Sequence, residues 1–136
     1  MISEFAYGEF LFWSPGGNVA YVNAVKDDAY NELSELLRQR FSSLRKDRMR
    51  SAEVLQPMFG PVACDPDSTG ESYVMDALPP CKHCKSRRIA SWDLINPAKV
   101  VEWDIPVITH HAWNQLSLAE KLASIDRYIA REGLVI

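Results

Sequence analysis

The sequence predicts an α+β fold, with an antiparallel sheet, a long helix in the N-terminal half and a second helix at the C-terminus. Three observations predict it: an aromatic-rich start interrupted by a Pro-Gly-Gly turn, a change to helical spacing near residue 27, and a capped apolar stripe near the end. At 136 residues, 47% of them hydrophobic, the chain is long enough for one core without disulfides. Residues 1–136 are therefore predicted to form a single domain.

The first predicted element is a β-hairpin. Residues 4–13 are rich in aromatic side chains, which favour strands, and residues 14–18 contain the turn formers proline, glycine and asparagine. Residues 19–22 are Val-Ala-Tyr-Val, and we expect them to form the returning strand.

The second predicted element is a long helix that starts near Asp27. Aspartates stand at its front and basic residues at its back, which complements the helix dipole. Its apolar residues recur at intervals of three and four: Tyr30, Leu33, Leu37, Phe41 and Leu44. The residues predicted to end the helical region are Pro57, Gly60 and Pro61.

Residues 38–50 are basic within a chain of net charge −3. The plainer interpretation is a solvated helix end, and the alternative is a surface that binds phosphate or acidic groups.

The middle of the chain is predicted to be β structure with irregular connections. Residues 62–64 and 73–75 are predicted strands on either side of a turn at 65–70. Residues 88–94 and 100–105 alternate in polarity, and we expect them to pair as a hairpin.

The last predicted element is a helix that begins with a capping box formed by Ser117 and Glu120. Gly133 is the predicted stop signal, and residues 109–113 are predicted to form a short helical turn beforehand. One apolar face is expected to contain Leu118, Leu122, Ile125 and Ile129.

The most specific chemical motif is the pair Cys81 and Cys84, separated by two residues. A pair at this spacing can direct both sulfurs to one zinc ion, and Cys64 is the obvious third ligand. Two alternatives stay open: a site with free thiols, or a redox disulfide. The redox alternative is weaker, because prolines precede the pair and no helix is predicted after it.

The segment Leu78-Pro79-Pro80-Cys81-x-x-Cys84 resembles the second metal-binding knuckle of zinc-ribbon and rubredoxin-like proteins, over residues 62–92 only. The resemblance implies a structural zinc and a first knuckle at Cys64-Asp65-Pro66-Asp67, where Asp67 stands in place of a fourth cysteine. Lys82 and Lys85 also depart from the family pattern. The candidate fourth ligands are Asp67, His83, His110 and His111. The predicted zinc ligands are Cys64, Cys81, Cys84 and His110.

No catalytic motif stands out. The chain has no G-x-S-x-G elbow, P-loop, G-x-G-x-x-G or H-E-x-x-H sequence, so we expect a protein that is not an enzyme. We expect a cytoplasmic location, because no run of apolar residues reaches membrane-spanning length and the N-terminus does not resemble a secretion signal.

A protein-binding face is the leading functional prediction. Acidic and aromatic side chains alternate near two tryptophans, and such a face suits a basic partner unless the aromatics belong to the core. The predicted binding residues are Trp92, Asp93, Glu102, Trp103 and Asp104.

In general type the chain is similar to the small acidic immunity proteins that bacteria pair with toxins. That similarity implies neutralisation of a basic toxin domain by direct binding. The alternative is a zinc-ribbon protein that binds nucleic acid or takes part in transcription. It would use residues 38–50 with Lys82, Lys85, Arg87 and Arg88.

Overall fold

The structure is a computed structural model that describes residues 9–74 and 105–136. It confirms the α+β class, with helices and a two-stranded antiparallel sheet. The described elements are β1 (Glu9–Trp13), β2 (Val19–Asn23), α1 (Asp28–Arg40), α2 (Ser42–Lys46), α3 (Arg48–Ala63), α4 (His111–Gln115) and α5 (Leu118–Glu132). The zinc-ribbon knuckle falls mainly on residues 75–104, outside the described residues.

The predicted hairpin is confirmed. In β1 and β2 Phe12 pairs with Ala20, and both side chains are buried. Gly17 allows the tight turn because its φ of 85° lies in the left-handed region. Each outer edge of the hairpin carries one further bridge, from Trp13 to Val74 and from Tyr21 to Val107.

The long helix predicted from residue 27 is two helices in the structure. Asp27 caps α1 by accepting a hydrogen bond from the Tyr30 amide. The backbone is extended at Phe41 (φ −125°, ψ 106°), and α2 then continues in a new direction that buries Leu44. The apolar period was correct, but it did not reveal this break.

The prediction that residues 57–61 end the helical region was wrong, because α3 runs through Pro57, Gly60 and Pro61. Each proline lacks an amide hydrogen, so one helical hydrogen bond is lost at each. The helix is held instead by its other face, which buries Val54, Leu55, Met58 and Phe59.

Residues 62–64 are therefore not a strand. Val62 and Ala63 form the last turn of α3, and Cys64 is its C-cap, with its amide bonded to the Gly60 carbonyl. Residues 65–70 turn as predicted. In the predicted strand 73–75, Val74 forms only the single bridge to Trp13, and residue 75 lies outside the described residues.

Gly60 is where the returning chain crosses α3. A Cβ atom at this position would lie far inside van der Waals distance of the Tyr73 carbonyl oxygen. The missing side chain therefore lets Tyr73 and Val74 pass directly over the helix and reach Trp13. The ring of the preceding residue, Phe59, packs edge-on against Phe12 and Tyr30 in the core.

The C-terminal helices agree with the sequence prediction except at one residue. Both hydrogen bonds of the Ser117–Glu120 capping box form, and Gly133 ends α5 with a φ of 65°. Ile125 is buried, but Leu118 is 61% exposed and does not belong to the packed face.

α4 forms at residues 111–115, and its Trp113 side chain is buried. No helix within the two described stretches is long and apolar enough to cross a membrane. Of the predicted hairpin at 88–94 and 100–105, only Ile105 is described.

Candidate metal and partner-binding site

The structure describes two of the predicted site residues, Cys64 and His110. The other metal ligands, Cys81 and Cys84, lie outside the described residues. The same is true of the complete predicted partner-binding set: Trp92, Asp93, Glu102, Trp103 and Asp104.

The His110 side chain packs against the C-terminal end of α3, next to Ala63. Its Nδ1 is 2.7 Å from the Ala63 carbonyl oxygen, and its Nε2 is 2.8 Å from Oδ2 of Asp27. The ring thus joins the start of α1 to the end of α3, and His110 itself precedes α4. Both side chains of the Asp27–His110 pair are largely buried, at 12% and 11% exposed.

Both ring nitrogens of His110 face acceptors, so the protonated ring is the form that satisfies both. Burial opposes the charge. The hydrogen bonds to Asp27 and Ala63 and the charges of Asp27 and Asp65 outweigh it and raise the pKa of His110. Burial likewise opposes ionisation of Asp27, but the bonds from His110 and the Tyr30 amide hold its pKa below the usual range.

Cys64 is held as a neutral thiol. Burial is the main cause that raises its pKa, and the negative charges of Asp27 and Asp65 raise it further. A neutral thiol is a poor nucleophile and must lose its proton before it binds a metal.

The described half of the predicted zinc site does not fit a metal ion in this geometry. His110 would have to release the Ala63 carbonyl or Asp27, and the Cys64 thiol would have to ionise beside two carboxylates. The full four-residue site stays a prediction, because Cys81 and Cys84 are not described.

Asp65 fixes the start of α4 from the opposite side of this junction. Its carboxylate accepts hydrogen bonds from the Thr109 hydroxyl at 2.7 Å and from the His111 and Ala112 amides at 2.8 and 3.1 Å. Burial raises the pKa of Asp65, but these bonds outweigh it and lower the pKa. We call Asp27, Ala63, Cys64, Asp65 and His110 the His110 junction.

Across residues 9–74 and 105–136, no group of three or more His, Cys, Asp or Glu residues is placed to hold a metal ion. Comparison with known proteins finds no matching family model, curated protein or solved structure.

A second cluster of hydrogen bonds surrounds the buried Asp67, one of the alternative ligands. Its Oδ1 accepts from the Thr69 amide and hydroxyl and from the Glu71 amide, at 2.7 to 2.9 Å. Its Oδ2 accepts from the side-chain amide of Asn18 at 3.0 Å. Bonds from Asn18 and Ser14 are the main cause that holds its pKa far below the usual range. We call this cluster the Asp67 loop.

A cleft of about 630 Å³ separates the Asp67 loop from residues 105–109. Its polar wall includes Asp65 and Asp67, whose carboxylates already accept several protein hydrogen bonds. Val107, on the opposite wall, is 63% exposed. The cleft therefore offers shape and apolar surface, and its two carboxylates are occupied by the fold.

Sequence reasoning missed the ion pair between Asp27 and His110. Asp27 was assigned to the helix dipole alone, and its capping role gives no indication of a partner 83 residues away. A lone aspartate and a lone histidine so far apart carry no pattern that predicts their contact.

Proposed function

We propose that this chain is a non-catalytic protein-binding module that neutralises a basic toxin domain by binding it directly. The observation that best supports the proposal is the anchoring of the segment that contains the predicted binding residues. Val74 exchanges two hydrogen bonds with Trp13, at 3.0 and 2.6 Å. On the other edge, Tyr21 bonds to the backbone of residues 106 and 108, both at 2.8 Å. The described residues on either side of 75–104 are thus attached to the two edges of one hairpin.

Fixed ends favour a binding role because less conformational entropy is lost when a partner docks. The hairpin that holds these ends is itself part of the core, through Phe12, Ala20 and Val22. The attachment points therefore have the rigidity of the core.

The chemistry of the described polar groups also supports binding over catalysis. Asp27, Asp67 and His110, whose pKa values are shifted, accept or donate hydrogen bonds that hold structural elements together. The thiol of Cys64 is kept protonated. Such groups suit a scaffold, whereas a catalytic base needs a free lone pair directed at a substrate.

The proposed face combines tryptophan with carboxylates. Tryptophan is enriched among residues that dominate binding energy, and carboxylates accelerate association with a basic partner. Trp103 between Glu102 and Asp104 is the most concentrated instance in the sequence.

Deletion of the gene in a host that carries the intact toxin gene tests the proposal. We expect loss of viability, with rescue by the wild-type chain from a plasmid. Full viability while the toxin is demonstrably active would contradict neutralisation.

Charge reversal locates the face in the same rescue assay. The triple variant Asp93→Lys, Glu102→Lys and Asp104→Lys should fail to rescue. The matched control reverses three exposed helical acids and should rescue normally: Glu35, Glu53 and Glu132. Rescue by both variants would place the binding surface elsewhere.

Metal analysis tests the zinc prediction separately. The zinc prediction requires zinc in protein purified without chelator and its loss on Ser substitution of Cys81 or Cys84, although Cys64 and His110 do not fit a metal ion in the described geometry. Zinc-free native protein would exclude the proposed site.

A second candidate function, nucleic-acid binding, is favoured by the exposed basic residues Arg45, Lys46 and Arg48. None of the three forms an ion pair with another described residue. Binding through them should weaken steeply as salt rises. Absence of binding to single- and double-stranded oligonucleotides at low salt would exclude this candidate.

A further inference from the structure

A second concave surface lies between α3 and α5. The two helices run in opposite directions: the Arg50 guanidinium near the start of α3 donates to the Val135 carbonyl beyond the end of α5, at 3.0 Å. Near the end of α3, a groove of about 420 Å³ opens between the helices. The residues that line it are Pro61, Val62, Ser124, Arg127, Tyr128 and Arg131.

Two arginines form the positive side of this groove. Arg127 and Arg131 are four residues apart on α5, so their side chains are neighbours on one helical face. Within the described part of the chain, Arg127 bonds only to the Ser124 hydroxyl, at 3.1 Å. Arg131 contacts the carboxylate of the adjacent Glu132 at 3.4 Å, an exposed pair of little strength. The groove therefore holds positive charge that its neighbours neutralise only weakly.

Tyr128, which also lines the groove, adds a hydroxyl donor. Its residue is 8% exposed, and its ring lies 5.3 Å from the guanidinium carbon of Arg131. The hydroxyl has no hydrogen-bond partner among the described residues. Every buried side-chain oxygen and nitrogen of the described residues does have a partner, so this hydroxyl is not buried. The hydroxyl thus belongs to the part of Tyr128 that solvent reaches, and its raised pKa keeps it protonated.

The opposite wall is formed by Pro61 and Val62 and is apolar, and Pro61 has no backbone N–H to donate. Pro61 lies inside α3 together with Pro57, one turn earlier. A proline in a helix interior costs about 3 kcal/mol, and a sequence that violates a local rule does so most often at a functional site. Here Pro61 and Val62 present a rigid apolar surface opposite the arginines.

We propose that this groove binds a phosphate monoester. The phosphoryl oxygens accept from the guanidinium groups of Arg127 and Arg131 and from the Tyr128 hydroxyl. The organic part packs on Pro61 and Val62. Three separate donors match the three terminal oxygens of a phosphoryl group, whereas one arginine already saturates a carboxylate in the bidentate geometry. A volume of about 420 Å³ lies in the range of pockets for small organic ligands and leaves room beyond a bare phosphate.

The proposal does not depend on toxin neutralisation, because it uses only α3 and α5. Its test is a titration of the full chain with phenyl phosphate. NMR monitors binding through the amide chemical shifts of Val62, Tyr128 and their neighbours. We expect saturable shifts centred on the groove.

Three variants make the test specific. Arg127→Gln with Arg131→Gln should weaken binding about tenfold or more, because two charged hydrogen-bonding groups are lost. Tyr128→Phe keeps the ring and should weaken binding by a smaller factor. The control, Lys26→Gln, removes an exposed cation outside both the groove and residues 38–50 and should bind like the wild type.

Three further ligands distinguish the alternatives. Inorganic phosphate lacks the organic part, benzoate replaces the phosphoryl group, and a single-stranded oligonucleotide presents phosphodiesters. Each should bind the groove more weakly than phenyl phosphate. The proposal is overturned if shifts do not saturate, if the arginine variant binds like the control, or if any of these ligands binds the groove as tightly.

Discussion

The His110 junction and the Asp67 loop hold the same part of the molecule together by different chemistry. Both connect the chain leaving α3 to a distant segment: His110 and Asp65 connect it to residues 109–112, and Asp67 connects it to the hairpin turn. At the junction the central donor is the His110 imidazole: although burial opposes its charge, its hydrogen bonds and nearby carboxylates raise its pKa. In the loop the donors to Asp67 are amides and hydroxyls, which do not titrate near neutral pH.

Because of this difference, only one of the two clusters should change its contribution to stability with pH in the neutral range. The Asp67 loop should be equally strong throughout the neutral range, since only protonation of Asp67 weakens it. The His110 junction should weaken when the imidazole loses its proton, because one of its two nitrogens then faces an acceptor without a hydrogen.

The largest expected effect comes from Gly60→Ala, which blocks the path of the chain beyond the Asp67 loop. The new methyl group would overlap the Tyr73 carbonyl oxygen, a backbone atom that cannot rotate away. We expect a loss of about 4 kcal/mol or more in the free energy of unfolding. Urea unfolding followed by circular dichroism measures it.

Ala52→Ser, which adds one atom to the same helix at a half-buried position, is the control and should change stability by only about 0.5 kcal/mol. Equal stabilities of the two variants would mean that Tyr73 does not cross α3 at Gly60.

Asp67→Ala should have the next largest effect. It removes an acceptor of bonds from Asn18, Thr69 and Glu71 and opens a buried space. We expect a loss of about 3 kcal/mol, since several hydrogen bonds to a charged group disappear together. The loss should be the same at pH 6 and pH 8, because the pKa of Asp67 lies far below both. A loss that differs between the two values would contradict the assignment of non-titrating donors.

The elements that the sequence predicted well have local causes. The Ser117–Glu120 box, the Gly133 stop and the hairpin turn each depend on residues within a few positions of one another. The last part of α3 was not predicted because proline and glycine normally end helices, whereas here a buried apolar face outweighs the lost hydrogen bonds. The Asp27–His110 pair and the groove of α3 and α5 depend on tertiary contacts that no local pattern encodes.

Stability should fall as pH rises through the neutral range because of the His110 junction. The folded-state pKa of His110 is raised above its unfolded value of about 6.5. The stabilisation is therefore complete below pH 6.5 and is lost as pH rises through the folded-state value, by about 1.4 kcal/mol for each unit of pKa difference. Urea unfolding at a series of pH values from 5 to 9 measures it.

Asp27→Asn is the matched variant for this profile, because its side-chain oxygen can still accept from the Tyr30 amide and cap α1. Without the carboxylate, the pKa of His110 should fall toward its ordinary value, and the decline in stability above pH 6.5 should shrink. Parallel profiles of the two proteins would show that Asp27 does not hold the imidazolium.

The smallest expected effect comes from Ser117→Ala. This variant measures how much a helix cap without a distant partner contributes to the free energy of unfolding. Ser117 accepts from the Glu120 amide at 3.2 Å and is exposed, so its loss should reduce stability by about 1 kcal/mol. Asp27→Ala removes the equivalent bond to the Tyr30 amide and also the partner of His110, so below pH 6.5 it should cost more. Above the folded-state pKa of His110 the two losses should approach each other, because the charge attraction between Asp27 and the imidazolium is then lost. A constant difference between the two variants from pH 5 to pH 9 would assign the excess to packing around Asp27 and not to the charge on His110.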